Sequence, residues 1–592
     1  MIRFFFHLRN SLAVIAFLLI FLPEIFAQQS ISEIRALPEG SVVTTKGIIT
    51  SEPEWGTIRY IQDADAGIAM YSISLSNTAH GDSILLTGVL SYYRGQLQIS
   101  PVLSFQILAS GIPIPDPKVK LLDAQNLSLY ESMVVSVPCA GIHTCESTFE
   151  SGWYMMFDDQ GRTIRLVIEK NHHLEDTGIP DFPVSLTGIW TKIDEQYQLI
   201  LQEFQNPASE NCIVIPPARI WYFYNDMHLH WEVQDEYDSW AEYGINNFDQ
   251  TQRVYVTNHE VRYKPQNLIH GEIYQGRFRQ HTPVGDTIYS PLTYFVKNGD
   301  ASDIEILFNR QIDTTFSDGS YPIAIGPAVI ETDIISRIDQ VDSTLDITMY
   351  NSSRRSITDA INRAVQRGVT VRYIADDGTS NSALEEPLLF PVLYRTGEGI
   401  MHNKFIVGDA DDSAQAWVWS GSTNFSTNQL SSDPNHAIIF HDQGMAINYR
   451  KEFDELWGQD LNHDGSRYGS GKTDNTVHGF LLGSTEIESY FSPSDETSCH
   501  ILEAIKSASE HMEIALLLMT KGDLVDALIE RHERFVDIRV IVEDEESSSL
   551  ALSRLRQAGI KTAVHEFGNI FHHKYAIIDE GILNSNPIVI TG

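Results

Sequence analysis

The spacing of the apolar residues changes near residue 300. Between about residue 30 and residue 298, apolar and polar side chains alternate in short runs that Gly, Pro, Asn and Asp interrupt, which predicts β-strands joined by tight turns. From residue 300 onward, short apolar runs alternate with segments in which apolar residues recur every three or four positions, which predicts strands alternating with amphipathic helices. The predicted fold class is therefore multidomain, with all-β modules followed by an α/β region whose sheet is largely parallel.

The first β-rich stretch repeats itself. Residues 86–90, Leu-Thr-Gly-Val-Leu, return at 186–190 as Leu-Thr-Gly-Ile-Trp. This repeat predicts two tandem β-barrels of five or six strands, at residues 30–112 and 118–206. A further β-rich unit is predicted at residues 214–298, where apolar and polar residues alternate as in the strands of a sandwich. Its spacing and its closing segment resemble a fibronectin type III module, whose expected role is linkage.

The strand pattern over residues 42–50, 59–63 and 84–90 resembles the OB-fold modules of secreted bacterial nucleases and related hydrolases. OB-folds commonly bind single-stranded nucleic acid through aromatic side chains on a basic face. A role in spacing or adhesion is the alternative, because the surroundings are acidic. The candidates for nucleic-acid contacts are Tyr60, Tyr71, Tyr92, Tyr93 and Arg94.

The α/β region also contains an internal repeat. Ile338 and Val371 are 33 residues apart, as are Ile505 and Ile538, and each pair joins a predicted helix to a later strand. A duplicated α/β fold is therefore expected. The predicted segments are lobe 1 at residues 300–458, a linker at 459–480 and lobe 2 at 481–592.

Each lobe ends in the same pattern of polar residues, His-x-Lys-x4-Asp. A histidine and a lysine two positions apart on an extended strand point to the same face. Two such pairs brought together would place two imidazoles in a positively charged cup, which suits a phosphodiester. The two motifs lie 170 residues apart and consist of His402, Lys404 and Asp409, and of His572, Lys574 and Asp579.

On these paired motifs, and on Gly421-Ser422-Thr423-Asn424 after the first of them, the C-terminal half resembles the phospholipase D superfamily. The resemblance covers roughly residues 300–592. It implies hydrolysis of a phosphodiester through a covalent phosphohistidine. It also implies that His402 is the nucleophile and His572 the acid and then the base, although the residues alone leave this order open.

The chemistry of a phosphodiester assigns roles to the other members of the motifs. The lysines neutralise the non-bridging oxygens, and the serine and the asparagine add neutral donors. The two aspartates are expected to orient neighbouring groups, as carboxylates commonly do for histidines. No metal or other cofactor is part of the predicted mechanism. The predicted catalytic residues are His402, Lys404, Asp409, His572, Lys574 and Asp579, and the predicted phosphate-binding residues are Ser422 and Asn424.

The charge and the N-terminus refine this picture. The 592-residue chain has 79 acidic and 41 basic side chains, a formal net charge of −38, which repels nucleic acid and anionic membranes at long range. Residues 1–27 combine a basic start, a short apolar run and Ala27 before the expected cleavage point, which predicts a secretory signal peptide. A membrane anchor is the alternative. The mature protein is expected to be secreted, without stable membrane insertion.

Two features concern the cysteines and the end of the chain. Cys139 and Cys145 are close enough to close a small loop in an oxidising compartment, with buried free thiols as the alternative. Gly592 stands 13 residues after Asp579, where the second Gly-Ser segment is expected to begin. Lobe 2 is therefore expected to be cut short.

Three functions are compatible with these features. The favoured one is a secreted phospholipase D-type phosphodiesterase that cleaves phospholipid head groups. An extracellular endonuclease of the same superfamily is the first alternative, which the barrels favour and the acidity disfavours. A catalytically inert adhesion or binding protein is the second. The expected partner is thus a phosphodiester, either phospholipid or nucleic acid.

Overall fold

The structure is a computed structural model. It describes residues 28–119, 127–193, 196–207, 212–223, 225–233, 237–299, 303–317, 319–385, 387–395, 399–459, 461, 465–566, 568–582 and 585–592. The signal peptide predicted at residues 1–27 lies outside the described residues. The described chain forms two compact units. The first runs to Ala140 and includes Thr148–Met156 and Ile164–Glu210, and the second comprises Gly141–Ser147, Phe157–Thr163 and Asn211–Gly592.

The N-terminal region is built from short strands, as the alternation predicts. A short helix, α1 (Ile31–Arg35), precedes them. The strands are β1 (Val42–Ile49), β2 (Ile58–Gln62), β3 (Gly67–Tyr71), β4 (Ser83–Tyr93), β5 (Gln96–Ala109), β6 (Lys118–Val119), β7 (Met133–His143), β8 (Gly152–Asp158), β9 (Thr163–Ile168), β10 (Val184–Ile193) and β11 (Gln196–Gln205).

The first five strands close into a barrel in the order β1-β2-β3-β5-β4. The next sheet has the order β10-β11-β9-β8-β7-β6, and β10 also pairs with β7. The repeated Thr-Gly dipeptide has the same cause in both, because the strand register shifts at Gly88 and at Gly188. A Cβ atom would lie 2.3 Å from Ile99 at the first position and 2.1 Å from the Ile200 carbonyl oxygen at the second. Only glycine fits at these two bulges.

The aromatic residues of the first barrel do not all face solvent. Tyr71, Tyr92 and Tyr93 are about half exposed, whereas Tyr60 is 2% exposed. Burial raises the pKa of Tyr60, whose hydroxyl accepts a hydrogen bond from Gln96. The expectation that Tyr60 contacts a nucleic acid is therefore wrong, since its ring belongs to the core.

A second β-rich region begins the C-terminal unit. Its strands form one sheet of order β12-β13-β16 and another of order β15-β14-β17-β18, with β19 paired to β17. Trp231, Phe278 and Phe295 fill the core between them. The strands are β12 (Arg219–Phe223), β13 (Asp226–Glu232), β14 (Ser239–Gly244), β15 (Gln250–Val254), β16 (Glu260–Tyr263), β17 (Ile273–His281), β18 (Thr287–Tyr289) and β19 (Thr293–Val296).

Lobe 1 contains one eight-stranded sheet of order β21-β20-β27-β26-β25-β22-β23-β24. Its strands are β20 (Asp303–Phe308), β21 (Ile323–Ile325), β22 (Thr344–Met349), β23 (Thr370–Asp376), β24 (Val392–Arg395), β25 (Lys404–Gly408), β26 (Trp417–Gly421) and β27 (His436–His441). Its helices are α2 (Val329–Gln340), α3 (Arg355–Arg367), α4 (Thr427–Ser431) and α5 (Gln443–Trp457). Ile330, Ile334 and Ile338 of α2 are fully buried, as their helical spacing predicts.

Lobe 2 contains a five-stranded sheet of order β32-β31-β30-β33-β34, preceded by the hairpin β28 (Gly479–Leu482) and β29 (Thr485–Glu488). Its strands are β30 (His511–Leu516), β31 (Asp537–Val542), β32 (Lys561–Val564), β33 (Lys574–Ile578) and β34 (Ile588–Thr591). Its helices are α6 (Thr497–Ser507), α7 (Gly522–Glu533) and α8 (Ser549–Gln557).

The two sheets correspond strand by strand over five positions. β22 is parallel to β23 and antiparallel to β25, and β30 is likewise parallel to β31 and antiparallel to β33. Both sheets are therefore mixed, and the expectation of a largely parallel sheet is wrong. The strand that begins with the motif lysine runs back against its neighbour, since no helix separates it from the next strand.

The cysteines pair differently from the expectation. Cys145 forms a disulfide with Cys499 at the start of α6, and Cys139 and Cys212 are disulfide-bonded as well. Within the described residues no cysteine is free. The predicted small loop from Cys139 to Cys145 and the alternative of free thiols are both wrong, because tertiary packing brings a distant cysteine to Cys145. No helix in the described ranges is long and apolar enough to cross a bilayer.

Candidate active site

The first motif lies at the start of β25, in the middle of the lobe 1 sheet. His402 precedes the strand and is exposed, whereas Lys404 begins it and is 7% exposed. The Lys404 Nζ donates a hydrogen bond to the His402 carbonyl oxygen at 2.8 Å. Tyr350, which follows β22, packs its ring edge-on against His402 and lies 5.4 Å from the ammonium. The lysine is thus held at the base of the site and the histidine at its mouth.

The second motif lies at the equivalent start of β33. His572 is buried, and the Lys574 Nζ donates to its carbonyl oxygen at 2.9 Å, as in the first motif. The same ammonium lies 3.0 Å from Nδ1 and 3.1 Å from Nε2 of His572. In both lobes the motif therefore folds the lysine back onto its own histidine.

The two motifs form one cationic cluster. Lys574 acts electrostatically on His402 and on Lys404, and His572 is influenced by all three. Burial and, for Lys404, the second ammonium lower the pKa of both lysines to about 7. Desolvation and the lysines lower the pKa of His402 to about 4 and that of His572 to about 2. A site that resists positive charge in this way is completed electrostatically by an anion.

A short segment of lobe 1, residues 433–436, supports the second motif. The His572 N–H donates to the Pro434 carbonyl at 3.0 Å, and the His572 Nδ1 lies 3.0 Å from the Asn435 Oδ1. The Asn435 Nδ2 donates to the carbonyls of Gln429 and Asp433, both at 3.1 Å. These bonds fix the amide so that Oδ1 accepts, and the proton of neutral His572 must lie on Nδ1. The Nε2 lone pair of His572 is therefore available for chemistry.

The predicted phosphate-binding residues lie next to this support. The Ser422 Oγ donates to the Asn435 Oδ1 at 2.9 Å, and the Ser422 backbone bonds to His572. Asn424 is buried, and its Nδ2 lies 3.4 Å from the Gln429 Oε1. The Asn424 Oδ1 has no partner among the described residues. Ser422 is thus brought to the site, with its hydroxyl engaged by Asn435.

The predicted catalytic aspartates lie elsewhere. The Asp409 carboxylate accepts the N–H groups of residues 342–344 at 2.8–3.0 Å, and Asp579 accepts those of residues 509–511 at 2.8–3.0 Å. Against the effect of burial, these bonds lower both pKa values, that of Asp579 to about 2. Asp409 stands five residues beyond Lys404, about 16 Å at the rise of a strand. The structure does not bring either carboxylate to a histidine, and both instead cap the loop that enters the central strand.

A second pair of carboxylates does reach the site. The Asp376 Oδ2 accepts the N–H of Met401 at 2.7 Å, and the Glu543 Oε2 accepts the N–H of Phe571 at 2.5 Å. Each donor immediately precedes a motif histidine. Both carboxylates lie at the end of a corresponding strand, five residues after Val371 and after Ile538. The 33-residue repeat contained this signal, but the search for histidine-linked motifs passed over it.

A cluster that can hold a metal ion lies apart from the motifs. Ligand atoms of Asp474, His478 and Asp495 fall within 4.8 Å of one another. However, the two ring nitrogens of His478 already contact the Ser489 carbonyl and Asp474, each at 2.9 Å. Although burial opposes it, the two aspartates help raise the pKa of His478 to about 9. An imidazolium has no lone pair for a metal, so His478 serves here as a counter-ion.

Two α/β lobes that unite a pair of His-x-Lys motifs define a two-histidine phosphate site. Residues 334–457 and 501–592 match the family model described as "Cardiolipin synthase, PLD-like domain". Through this C-terminal region the chain belongs to the phospholipase D superfamily.

Known proteins resemble the same region. A mitochondrial cardiolipin hydrolase of Drosophila melanogaster is 27% identical over 155 residues, 23% of this chain and 61% of that protein. One from Chlamydomonas reinhardtii is 30% identical over 100 residues, 16% and 43% of the two chains. The crystal structure of Nuc, a phospholipase D family member from Salmonella typhimurium, is 17% identical, covers 26% of this chain and 94% of its own, and gives a TM-score of 0.21. The chain thus spans about half the length of the curated relatives it matches.

Proposed function

We propose that the protein is a secreted phosphodiesterase that cleaves phospholipid head groups through a covalent phosphohistidine. The observation that supports this most strongly is the convergence of His402, Lys404, His572 and Lys574 in one cluster that lacks a counter-charge. The cardiolipin hydrolases among its relatives support a lipid substrate. We also infer that the lobes are a duplicated unit, since five strands correspond in order and direction.

The first half-reaction transfers the phosphoryl group to the enzyme. A bound diester anion is held by the two ammonium groups, and its charge makes protonation of one imidazole favourable. The neutral His402 attacks phosphorus, forming a P–N bond as the P–O bond to the leaving group breaks. The imidazolium of His572 gives its Nε2 proton to the departing oxygen, while its Nδ1 proton stays on Asn435.

The second half-reaction releases the phosphate ester. With its Nε2 lone pair restored, His572 takes a proton from a water molecule that attacks phosphorus. The P–N bond breaks, and the His402 imidazole is regenerated. Ser422 and Asn424 contribute by shaping the wall beside His572, and their direct contact with the phosphate is part of the proposal.

The test is turnover of bis(p-nitrophenyl) phosphate with EDTA present. His402→Asn and His572→Asn should each abolish turnover, whereas His259→Asn, at an exposed turn where asparagine suits the positive φ, should not. His402→Asn should also prevent formation of an acid-labile, alkali-stable phosphoenzyme. Full activity of either motif variant contradicts the mechanism, and loss of wild-type activity in EDTA contradicts its independence of metal. An inactive wild type would favour the adhesion alternative.

An endonuclease is the second candidate, because one observation favours it. Tyr71, Tyr92 and Tyr93 expose about half of their surface on the first barrel, and exposed aromatics can stack unpaired bases. The barrel resembles an OB-fold in its strand order. Single-stranded DNA is therefore assayed beside lipid, and loss of DNA cleavage in Tyr92→Ala with unchanged lipid cleavage would favour the nuclease.

A further inference from the structure

We propose that the mouth of the active site docks onto a lipid surface through an apolar rim formed by Ile400, Leu518 and Ile570. This inference rests on the proposed function and assigns its substrate as lipid in an aggregated layer. The three side chains are 56%, 44% and 47% exposed. Large aliphatic side chains with such exposure are informative when they gather around a functional site.

Both lobes place an isoleucine at the same position. Ile400 lies two residues before His402, and Ile570 lies two residues before His572. Two residues span at most about 7 Å, so each isoleucine borders its histidine. Because the two histidines belong to one cluster, the isoleucines flank one site from opposite lobes.

The backbone beneath the rim is anchored although the side chains are exposed. Asp433 accepts the N–H of Ile570 at 3.2 Å, and Glu543 accepts that of Phe571. In lobe 1, Asp376 accepts the N–H of Met401, next to Ile400. The exposed isoleucines therefore do not belong to loosely held loops, and docking would require little ordering of the chain.

Leu518 extends the rim along lobe 2. It follows β30, whose last residue, Leu516, pairs with Lys574. The neighbouring Leu517 carbonyl accepts the N–H of Glu543 at 3.2 Å, which connects this turn to the carboxylate below Ile570. Leu518 thus lies at the same edge of the sheet as the second motif.

The chemistry of the rim fits lipid better than nucleic acid. Its side chains are aliphatic, so they offer neither the stacking faces nor the cations with which proteins bind unpaired strands. The carboxylates of Asp376, Asp433 and Glu543 lie directly beneath, and the whole chain carries −38 charges, which opposes a polyanion. Aliphatic side chains beside a cationic phosphate site match the interface where acyl chains meet phosphate head groups.

The experiment compares vesicles with a soluble diester. The variants are Ile400→Ser, Ile570→Ser and the double variant. Ile582→Ser is the matched control, because Ile582 is 37% exposed beyond the far end of the strand that starts at Lys574. Turnover is measured on bis(p-nitrophenyl) phosphate, on phosphatidylcholine vesicles containing cardiolipin and on single-stranded DNA. Co-sedimentation with the same vesicles measures binding independently of turnover.

The double variant should lower the ratio of vesicle to soluble turnover by about tenfold or more, the factor that ~1.4 kcal/mol of lost burial corresponds to. Co-sedimentation should fall in parallel, and Ile582→Ser should behave as the wild type. An unchanged ratio with active enzyme overturns the rim and leaves the proposed function standing. An equal loss on DNA also overturns it. Wild-type inactivity on every substrate with rim-dependent co-sedimentation overturns the catalytic function alone.

Discussion

The Nδ1 atoms of His436 and His573 lie 3.1 Å apart, so one of these imidazoles donates a proton to the other. Their rings stack with centroids 5.4 Å apart, and the His436 Nε2 contacts the Thr591 hydroxyl at 2.6 Å. The x position of the second motif therefore packs lobe 2 onto the segment of lobe 1 that holds His572. His573 faces away from the catalytic cluster, as an extended strand predicts.

This pair should make the protein sensitive to acid. Burial and the neighbouring cations lower the pKa of His436 to about 3 and that of His573 to about 4. The unfolded chain takes up protons near pH 6.5, so stability present above that pH is lost as the pH falls toward 4. Replacing His573 by Gln should reduce the slope of unfolding free energy against pH by up to ~1.4 kcal/mol per pH unit. Urea unfolding monitored by tryptophan fluorescence measures this, and an unchanged slope would contradict it.

The lowered pKa values of the lysines predict proton uptake on anion binding. Above pH 7 the empty site increasingly holds neutral lysines, whereas a bound oxyanion restores their charge. The dissociation constant of tungstate should therefore rise with pH above 7, by up to about tenfold per pH unit for each lysine. Calorimetry in two buffers of different ionisation enthalpy counts the protons. Lys404→Met should remove one of them, and pH-independent affinity would refute the idea.

Asn435 should set the pH range of catalysis. In Asn435→Asp a carboxylate would accept the Nδ1 proton of His572 and raise its pKa, so the acidic limb of the pH–rate profile should move to higher pH. In Asn435→Leu the imidazole loses its orientation, and kcat should fall about 10–100-fold with little change in KM. Identical pH profiles for wild type and the Asp variant would show that Asn435 does not act through His572.

The carboxylates of Asp376 and Glu543 should position the histidines. Replacing either by Ala removes an acceptor of a backbone N–H, an interaction of ~1.5–3 kcal/mol for a charged partner. The expected result is a fall in kcat of about tenfold or more. Asp376→Asn and Glu543→Gln keep an acceptor oxygen and should recover most of the loss. Equal losses in the amide and alanine variants would instead point to the negative charge.

The sequence predicted the parts of the site that local spacing controls. The His-x-Lys pairs and the helical spacing of Ile334 and Ile338 were visible in single segments. Asn435 was not visible, because it lies 137 residues from His572 and only the packing of two lobes joins them. The aspartates of the motif were misassigned for the same reason, since a strand carries Asp409 away from Lys404. Sequence spacing gives no direction to a strand's far end.

The bond between Cys145 and Cys499 closes a loop over a sequence separation of 354 residues, which includes the whole of lobe 1. A protease that cuts the chain once within this loop would leave the two pieces covalently joined. A nicked molecule should therefore migrate as an intact chain on a denaturing gel until a thiol is added. The disulfide makes the molecule tolerant of cleavage in exposed turns between the motif lobes, a useful property wherever proteases are abundant.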